Sequence, residues 1–262
     1  MKIPKFIVVS AAITTSALMG VCGASAADLP ARTYTKAPVV VPPPAYSWTG
    51  CYIGAEGGGV WGRSQNYAAD PVDATLGVFG FPQTGGIHPT GGMVGGTLGC
   101  NYQVGNFVVG IEGDGSWTNN SGSSNLIAPF RTTDVATTNE GWIATYRARA
   151  GYAWDRLLLY ATGGGASTNL GINLCDPTFG CVSSSRTVSG WAAGGGIEYA
   201  FWQNLSVKVE YLHLDFGTTY FGPSIPSTGF IFRARNVPLT DDIVRVGLNY
   251  KFGWGGPVVA KY

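Results

Sequence analysis

Histidine is the side chain that most often transfers protons near neutral pH, and this chain of 262 residues has two, His88 and His213. Asp215 follows His213 by two positions, and nucleophilic enzymes use an aspartate to orient a histidine. Such a site also needs a positioned serine, which no nucleophile motif marks. We therefore predict that the chain is not an enzyme and has no catalytic residue, metal ligand or cofactor.

Eight other charged residues lie in segments where apolar and polar residues alternate. Four are acids and four are bases, so opposite charges are available for ion pairs. They are Glu56, Glu112, Arg147, Arg149, Glu198, Lys208, Glu210 and Arg245. Whether they meet depends on the elements that carry them.

The clearest alternating segment runs from Val244 to Phe252. Its even-numbered positions are apolar, and its odd-numbered positions are polar or glycine. Since successive side chains of a strand point to opposite faces, one face is apolar and the other polar. Seven further segments follow the pattern in whole or in part. The eight predicted strands cover about 50–61, 92–104, 107–114, 141–153, 157–166, 187–199, 205–216 and 243–252.

An export signal precedes these segments. Two lysines form its positive start, residues 6–21 form its apolar stretch, and small residues surround a predicted cleavage site between Ala26 and Ala27. Two of the 16 basic and none of the 15 acidic residues lie in the signal, so the mature chain carries a formal charge of −1. This balance gives no electrostatic reason to expect a nucleic-acid partner.

Charged residues make up 12% of the chain, against roughly 25% in soluble domains, yet no mature segment approaches 18 consecutive apolar residues. An exported chain with several alternating strands can turn its apolar faces to lipid and its polar faces to a lumen. The predicted fold is therefore all-β, an eight-stranded antiparallel transmembrane β-barrel of the outer-membrane type. An even number of strands closes such a barrel without a free edge.

The predicted connections alternate in length, which gives an orientation. Short connections lie at about 105–106, 154–156 and 201–204, and long ones at about 62–91, 115–140, 167–186 and 217–241. Barrels of this type keep short turns in the periplasm and long loops outside. Four long connections are therefore expected at the outer surface.

The predicted organisation has four parts. Residues 1–26 are the signal peptide, 27–46 a Pro-rich periplasmic segment, 47–252 the barrel and 253–262 a C-terminal extension in which glycine and proline break the alternation.

An eight-stranded interior is just wide enough for side chains to fill it. The eight charged residues are expected to pair across the lumen and close it, and a narrow charged channel remains the alternative.

Four stretches of the chain resemble a known family, the small alphaproteobacterial outer-membrane surface antigens related to opacity-type adhesins and the OmpA-like transmembrane barrel. The stretches are Trp48-Thr49-Gly50-Cys51-Tyr52-Ile53-Gly54, Arg147-Ala148-Arg149-Ala150-Gly151-Tyr152-Ala153-Trp154-Asp155-Arg156, Leu159-Tyr160-Ala161-Thr162-Gly163-Gly164 and Val246-Gly247-Leu248-Asn249-Tyr250-Lys251-Phe252. The resemblance implies an eight-stranded barrel with structural, antigenic or weak pore-forming roles and no catalytic site. Members usually carry an aromatic residue where Cys51 stands, and many end at the position of Phe252.

The mature chain has four cysteines, and export to an oxidising compartment permits bridges between them. Cys175 and Cys181 flank a short segment with a turn-favouring proline, so they are expected to pair, with two free loop thiols as the alternative. Cys51 and Cys100 fall at the periplasmic ends of neighbouring strands. They can also pair if they lie opposite each other, and otherwise they are two small residues facing lipid.

The expected function is an outer-membrane protein with a structural and surface-antigen role and weak porin activity. The alternative is a module that binds a ligand or acts as an adhesin through its outer loops, either for haem, through His88, His213, Tyr220 and Phe221, or for a host surface. Expected partners are outer-membrane lipid and lipopolysaccharide, the barrel-assembly machinery, and the cell wall or a host surface. The protein is expected to be a monomer.

Overall fold

The computed structural model of the protein describes residues 46–223 and 233–252. The predicted signal peptide, nearly all of the Pro-rich segment and the predicted extension at 253–262 lie outside the described residues. Within the described ranges the one helix is α1 (Pro71–Thr75), which begins after Asp70, whose side chain accepts a hydrogen bond from the Val72 amide. No helix in these ranges is long and apolar enough to cross a membrane.

Strands account for most of the described chain. Eight of them are long, with 15 to 21 residues each, and β2 has only two residues. They are β1 (Gly50–Ser64), β2 (Tyr67–Ala68), β3 (Thr90–Val104), β4 (Phe107–Asn125), β5 (Val135–Trp154), β6 (Leu157–Asp176), β7 (Gly180–Ala200), β8 (Leu205–Phe221) and β9 (Arg235–Lys251).

The eight long strands form a closed antiparallel ring. Each pairs with the next long strand in chain order, and β1 also pairs with β9, where Tyr52 lies opposite Lys251 and Ser64 opposite Leu239. β2 pairs with the outer end of β9. Ring closure satisfies the backbone groups that would otherwise be exposed along an edge. The predicted eight-stranded barrel is confirmed.

The strands extend further outward than the alternation predicts. β6 and β7 continue to Asp176 and Gly180, so the long connection predicted at 167–186 is wrong, and β4 and β5 occupy much of the region predicted as a loop at 115–140. These extensions are rich in serine, threonine, asparagine and glycine. Beyond the lipid the outer face of a strand meets water, so pairing continues without an outward apolar face; in β6 the apolar residues Leu170, Ile172 and Leu174 are buried on the inner face instead.

Two rings of aromatic side chains bound an apolar outer surface. In β4, Phe107 lies at the end with the short turns and Trp117 ten positions further out, and both are exposed. Tyr102, Trp154, Tyr199 and Tyr250 accompany the first, and Trp61, Trp142 and Trp191 the second. Aromatic girdles mark the two interfaces of a membrane-spanning barrel, and ~9–11 residues are enough for a strand to cross it. The membrane-spanning part of each strand therefore lies between these rings.

Tight turns connect the strands at one end of the barrel. Gly105 and Asp155 adopt positive φ angles, of 60° and 52°, in the turns between β3 and β4 and between β5 and β6. Glycine and aspartate tolerate this conformation better than most residues, which explains their place in these turns. The short connections predicted from the sequence are present, and they mark the periplasmic end.

Candidate functional site

Charged side chains from six strands meet inside the lumen, because alternate positions of every strand point inward. All eight residues singled out by the sequence have buried side chains here, together with a ninth, Asp114. The group therefore has five acids and four bases. We call these nine residues the lumen network: Glu56, Glu112, Asp114, Arg147, Arg149, Glu198, Lys208, Glu210 and Arg245.

Arg245 of β9 joins acids from three other strands. Its Nη2 lies 2.6 Å from Glu210 Oε2, its Nη1 lies 2.8 Å from Asp114 Oδ1, and Nη1 also contacts Glu56. Glu210 and Arg245 are register partners in the β8–β9 ladder, so the backbone itself sets up this pair. The guanidinium group suits this role because it has five donors in a planar fork.

Glu112 of β4 accepts contacts from four cations, of which Arg245 is the most distant, with its Nη2 3.9 Å from Glu112 Oε1. Its Oε1 lies 2.8 Å from Arg147 Nη2 and 3.0 Å from Lys208 Nζ, and its Oε2 lies 3.2 Å from Arg149 Nη1. Removing a carboxylate from water is costly unless such partners compensate it. The opposite charges of the lumen network are therefore interdependent.

Neutral polar side chains complete the network. Tyr52 donates a 2.6 Å hydrogen bond to Glu112 Oε2, and Tyr160 donates one of 3.0 Å to Glu210 Oε1. Asn249 donates to Glu198, which also pairs with Arg149. The sequence reasoning did not select these three neutral residues, although the alternation places Tyr52 on the same face as Glu56 and Asn249 on the same face as Arg245.

The periplasmic mouth of the lumen is filled by residues that precede β1. Trp48 is only 2% exposed and packs with Tyr46 against inward-facing Leu158 and Ala200. Its indole Nε1 donates a 3.0 Å hydrogen bond to the Asp155 carbonyl, which anchors the ring to the turn between β5 and β6. These contacts cover the inner side of the lumen network.

An apolar layer covers the outer side of the lumen network. Leu212 and Leu214 are the next two inward-facing residues of β8 after Glu210, toward the outer end of the barrel. In β9, Ile243 is the inward-facing residue next to Arg245 on the same outer side. All three are essentially inaccessible and belong to one cluster with Val60. Charged and apolar side chains therefore occupy successive levels of the lumen.

A smaller polar cluster lies beyond this apolar layer. Asn120 donates a 2.9 Å hydrogen bond to Glu140 and a longer one, of 3.5 Å, to Asp241. Thr168 donates to the second oxygen of Glu140. All four side chains are buried, and no ion pair involves Glu140 or Asp241 within the described residues.

Both cysteine pairs considered from the sequence are disulfide-bonded in the structure. Cys51 and Cys100 are directly opposite in the β1–β3 ladder, and Cys175 and Cys181 are opposite at the end of the β6–β7 hairpin. The first bridge is on the outward face near the periplasmic end. The second fixes the tip of the β6–β7 hairpin.

The residues of the haem hypothesis do not converge. His213 is on the outward face of β8, where its Nδ1 lies 2.8 Å from Asp242 Oδ1, while His88 lies two positions before the start of β3. β9 and β1 lie between β8 and β3 in the ring, so the two histidines are separated by about three strand spacings of ~4.8 Å. Tyr220 is exposed and Phe221 is buried. Within the described ranges, no group of three or more histidine, cysteine or acidic residues is arranged to hold a metal ion.

Comparisons with known proteins agree with this architecture. A family model described as an outer membrane protein beta-barrel domain matches residues 14–252. The 31 kDa outer-membrane immunogenic protein of Brucella melitensis is 34% identical over 93% of this chain and 99% of that protein. The 25 kDa outer-membrane immunogenic protein of Brucella abortus is 30% identical over 82% of this chain and 84% of that protein.

Among solved structures, the outer membrane protease OmpT from Escherichia coli aligns with a TM-score of 0.50 and 9% identity, covering 80% of this chain and 99% of that chain. A likeness at this identity concerns the fold alone.

Proposed function

The chain belongs to the family of outer-membrane proteins with a β-barrel domain, and from this we propose that it is a structural surface antigen of the outer membrane whose lumen is closed to ions. The proposal has two parts. One concerns the interior of the barrel, and the other concerns the surface that its outer connections form.

The contact between Lys208 and Glu112 carries the first part. β8 and β4 are opposite each other in the ring of eight strands, yet Lys208 Nζ lies 3.0 Å from Glu112 Oε1. This ion pair spans the whole diameter, and the other seven members of the lumen network, all with buried side chains, occupy the space on its two sides, which leaves no room for a continuous water column at that level. This favours the closed interior over the narrow charged channel considered above.

The levels on either side of the lumen network support closure as well. Trp48 fills the periplasmic mouth, and Leu212, Leu214 and Ile243 lie on the outer side. An ion entering from either end would meet apolar side chains, to which it would lose its hydration without compensation. Closure therefore does not depend on one side chain.

The outer half of the barrel supports the antigen role. The strands continue well beyond the tryptophan ring, and the bridge between Cys175 and Cys181 holds the tip of one extended hairpin. Such an extension presents ordered, polar surface outside the lipid. The relatives are named as outer-membrane immunogenic proteins, which agrees with a display role.

We also propose that the protein is not catalytic. His213 is hydrogen-bonded to Asp242, which accepts a second hydrogen bond from Tyr211, and no serine contacts either residue within the described ranges. A nucleophile activated by His213 would lie on the outward face of the barrel rather than in a pocket. This arrangement offers no enclosed place for a substrate.

Conductance tests the proposal. Purified, refolded protein inserted into a planar bilayer is expected to give no steady current steps, provided that heat-modifiable migration shows it to be folded. Steady channels of uniform size would contradict the closed lumen and favour the weak porin role.

A further inference from the structure

A cavity of about 430 Å³ lies at the outer end of the barrel, among the connections between strands. Its wall includes Leu76, Val78, Leu126, Phe130 and Leu174, which come from the segment after α1, the β4–β5 connection and the end of β6. Its volume lies in the range of small-molecule sites, which are mostly apolar with a few polar groups.

One cation in this wall lacks an acidic partner. Arg235, the first residue of β9, is only 5% exposed and lines the cavity. Its Nη2 donates a 3.2 Å hydrogen bond to the Arg233 carbonyl, and within the described residues it forms no ion pair. Asp242 of β9 is the register partner of Trp61, which belongs to the outer aromatic ring. Arg235 lies seven positions further toward the outer end of β9 and is therefore beyond the membrane-spanning part of that strand. Burial lowers the pKa of Arg235 to about 10, so the side chain is still charged at neutral pH.

The neighbouring cations differ from Arg235 in this respect. Arg131 lies 2.9 Å from Asp176 Oδ2, and Arg233 contacts Asp73. Asp134, a buried acid that also lines the cavity, lies 3.9 Å from Arg131 Nε, so its charge is opposed by Arg131 and not by Arg235. The segment 224–232, which lies outside the described residues, has the sequence Ser-Ile-Pro-Ser-Thr-Gly-Phe-Ile-Phe and contains no acid that could neutralise Arg235. Burying a cation without an opposite charge costs free energy, because the cation loses its hydration. Such a residue is therefore expected where a bound anion can compensate its charge.

The cavity therefore suits a ligand that has both an anionic group and an apolar body, each of which is complementary to a different part of the wall. The guanidinium group of Arg235 offers parallel donors that match a carboxylate. The side-chain amide of Gln83, which is buried and also lines the cavity, adds a polar group that can orient the ligand. Leucine and phenylalanine side chains supply the apolar surface around them.

We propose that this outer cavity binds a small amphipathic carboxylate from the external medium, with its carboxylate on Arg235 and its apolar body against Leu126, Phe130 and Leu174. The site is separate from the lumen network, and ligand binding does not require the lumen to conduct. The proposal therefore stands or fails independently of the closed-lumen function.

Calorimetric titration with octanoate provides the test. The full mature protein is reconstituted in nanodiscs of zwitterionic phosphatidylcholine, and the heat obtained with empty nanodiscs is subtracted to remove partitioning into lipid. Octanoate is expected to bind saturably with one site per protein. Acetate, which lacks the apolar body, and octylammonium, which has the opposite charge, are expected not to bind.

Three arginine variants locate the anion. Arg235→Gln is expected to weaken octanoate binding by roughly tenfold or more, because a hydrogen bond to a charged group is lost. Arg186→Gln is the matched control, since Arg186 is exposed in β7 and does not line the cavity. It is expected to bind octanoate as the unchanged protein does. Arg235→Lys keeps the charge but loses the parallel donors, so it is expected to bind octanoate more tightly than Arg235→Gln and more weakly than the unchanged protein.

The outcomes separate the possibilities. Equal loss in both glutamine variants, or no saturable binding by the unchanged protein, would overturn the proposal. If Arg235→Gln fails to fold by heat-modifiable migration, Leu174→Asp, which places a negative charge in the cavity wall, serves instead and is expected to abolish octanoate binding. Octylammonium binding as tight as that of octanoate would show a merely apolar cavity and would also contradict the assignment. Competition by lipopolysaccharide added to the nanodiscs would reveal a lipid rather than a soluble acid as occupant, which would overturn the stated source.

Discussion

Lys208 and Glu112 lie on opposite strands of the eight-stranded ring, and their side chains meet at 3.0 Å. Both side chains are shielded from solvent, since Lys208 is fully buried and Glu112 is nearly so. Lys208 also contacts Glu56, and Glu112 also pairs with three arginines. The pair therefore links the two halves of the lumen network.

Replacing Lys208 with methionine is expected to destabilise the barrel by about 3–5 kcal/mol, because one partner of a buried ion pair is lost while the carboxylates stay buried. Urea unfolding in lipid vesicles, followed by tryptophan fluorescence, measures the change. Arg63→Met is the control, since Arg63 is exposed at the outer end of β1. A change in unfolding free energy as small as that of the control would show that the network does not depend on Lys208.

Removing the aromatic plug is expected to affect stability rather than conductance. Trp48→Ala deletes a buried indole at the periplasmic mouth and is expected to cost about 3–5 kcal/mol in unfolding free energy. The lumen network and the apolar layer still close the barrel, so the planar bilayer should remain silent. Current steps in Trp48→Ala but not in the unchanged protein would identify Trp48 as the sole barrier to ions.

Much of the barrel could be predicted from alternation, because lipid imposes it on every membrane-crossing position. The alternation of apolar and polar positions alone predicts that Arg245 and Glu210 face the lumen, and in the structure they are register partners. The same alternation places Asp114, two positions after Glu112, on the inward face of β4. The lipid-facing pattern ends outside the lipid, where the apolar residues of β6, Leu170, Ile172 and Leu174, are buried on the inner face instead of the outer one. Arg235 was missed for the same reason, since its partners are determined by how the outer connections pack.

The lipid-facing surface provides a third prediction. Ile111 is 68% exposed in the part of β4 between the two aromatic rings. Ile111→Arg is expected to cost about 2–4 kcal/mol of folding stability in bilayers, as charged residues do near the middle of a barrel's lipid face. Val72→Arg in the exposed part of α1 is the matched control and should be nearly neutral. Equal effects in urea unfolding would argue against the position of the membrane inferred from the aromatic rings.

The disulfide pattern is a fourth prediction. Non-reducing peptide mapping of folded protein is expected to recover Cys51 with Cys100 and Cys175 with Cys181. Mixed linkages are excluded if the topology is correct, because the two pairs lie at opposite ends of the barrel. Recovery of Cys51 linked to Cys175 would therefore contradict the strand order as well as the pairing.

Truncation after Phe252 tests where the barrel is complete. Lys251 is the last register partner of β1 in the β1–β9 ladder, and the Phe252 amide donates a 2.9 Å hydrogen bond to the Cys51 carbonyl. Within the described residues, every backbone pair that closes the ring lies at or before Phe252, so a chain lacking residues 253–262 is expected to insert into the outer membrane and to keep heat-modifiable migration. A second truncation, after Gly247, removes the β9 residues that pair with the start of β1 and is expected to abolish both, because it reopens an edge that lipid cannot satisfy. Loss of insertion in the first truncation would show that the segment 253–262 is needed for assembly.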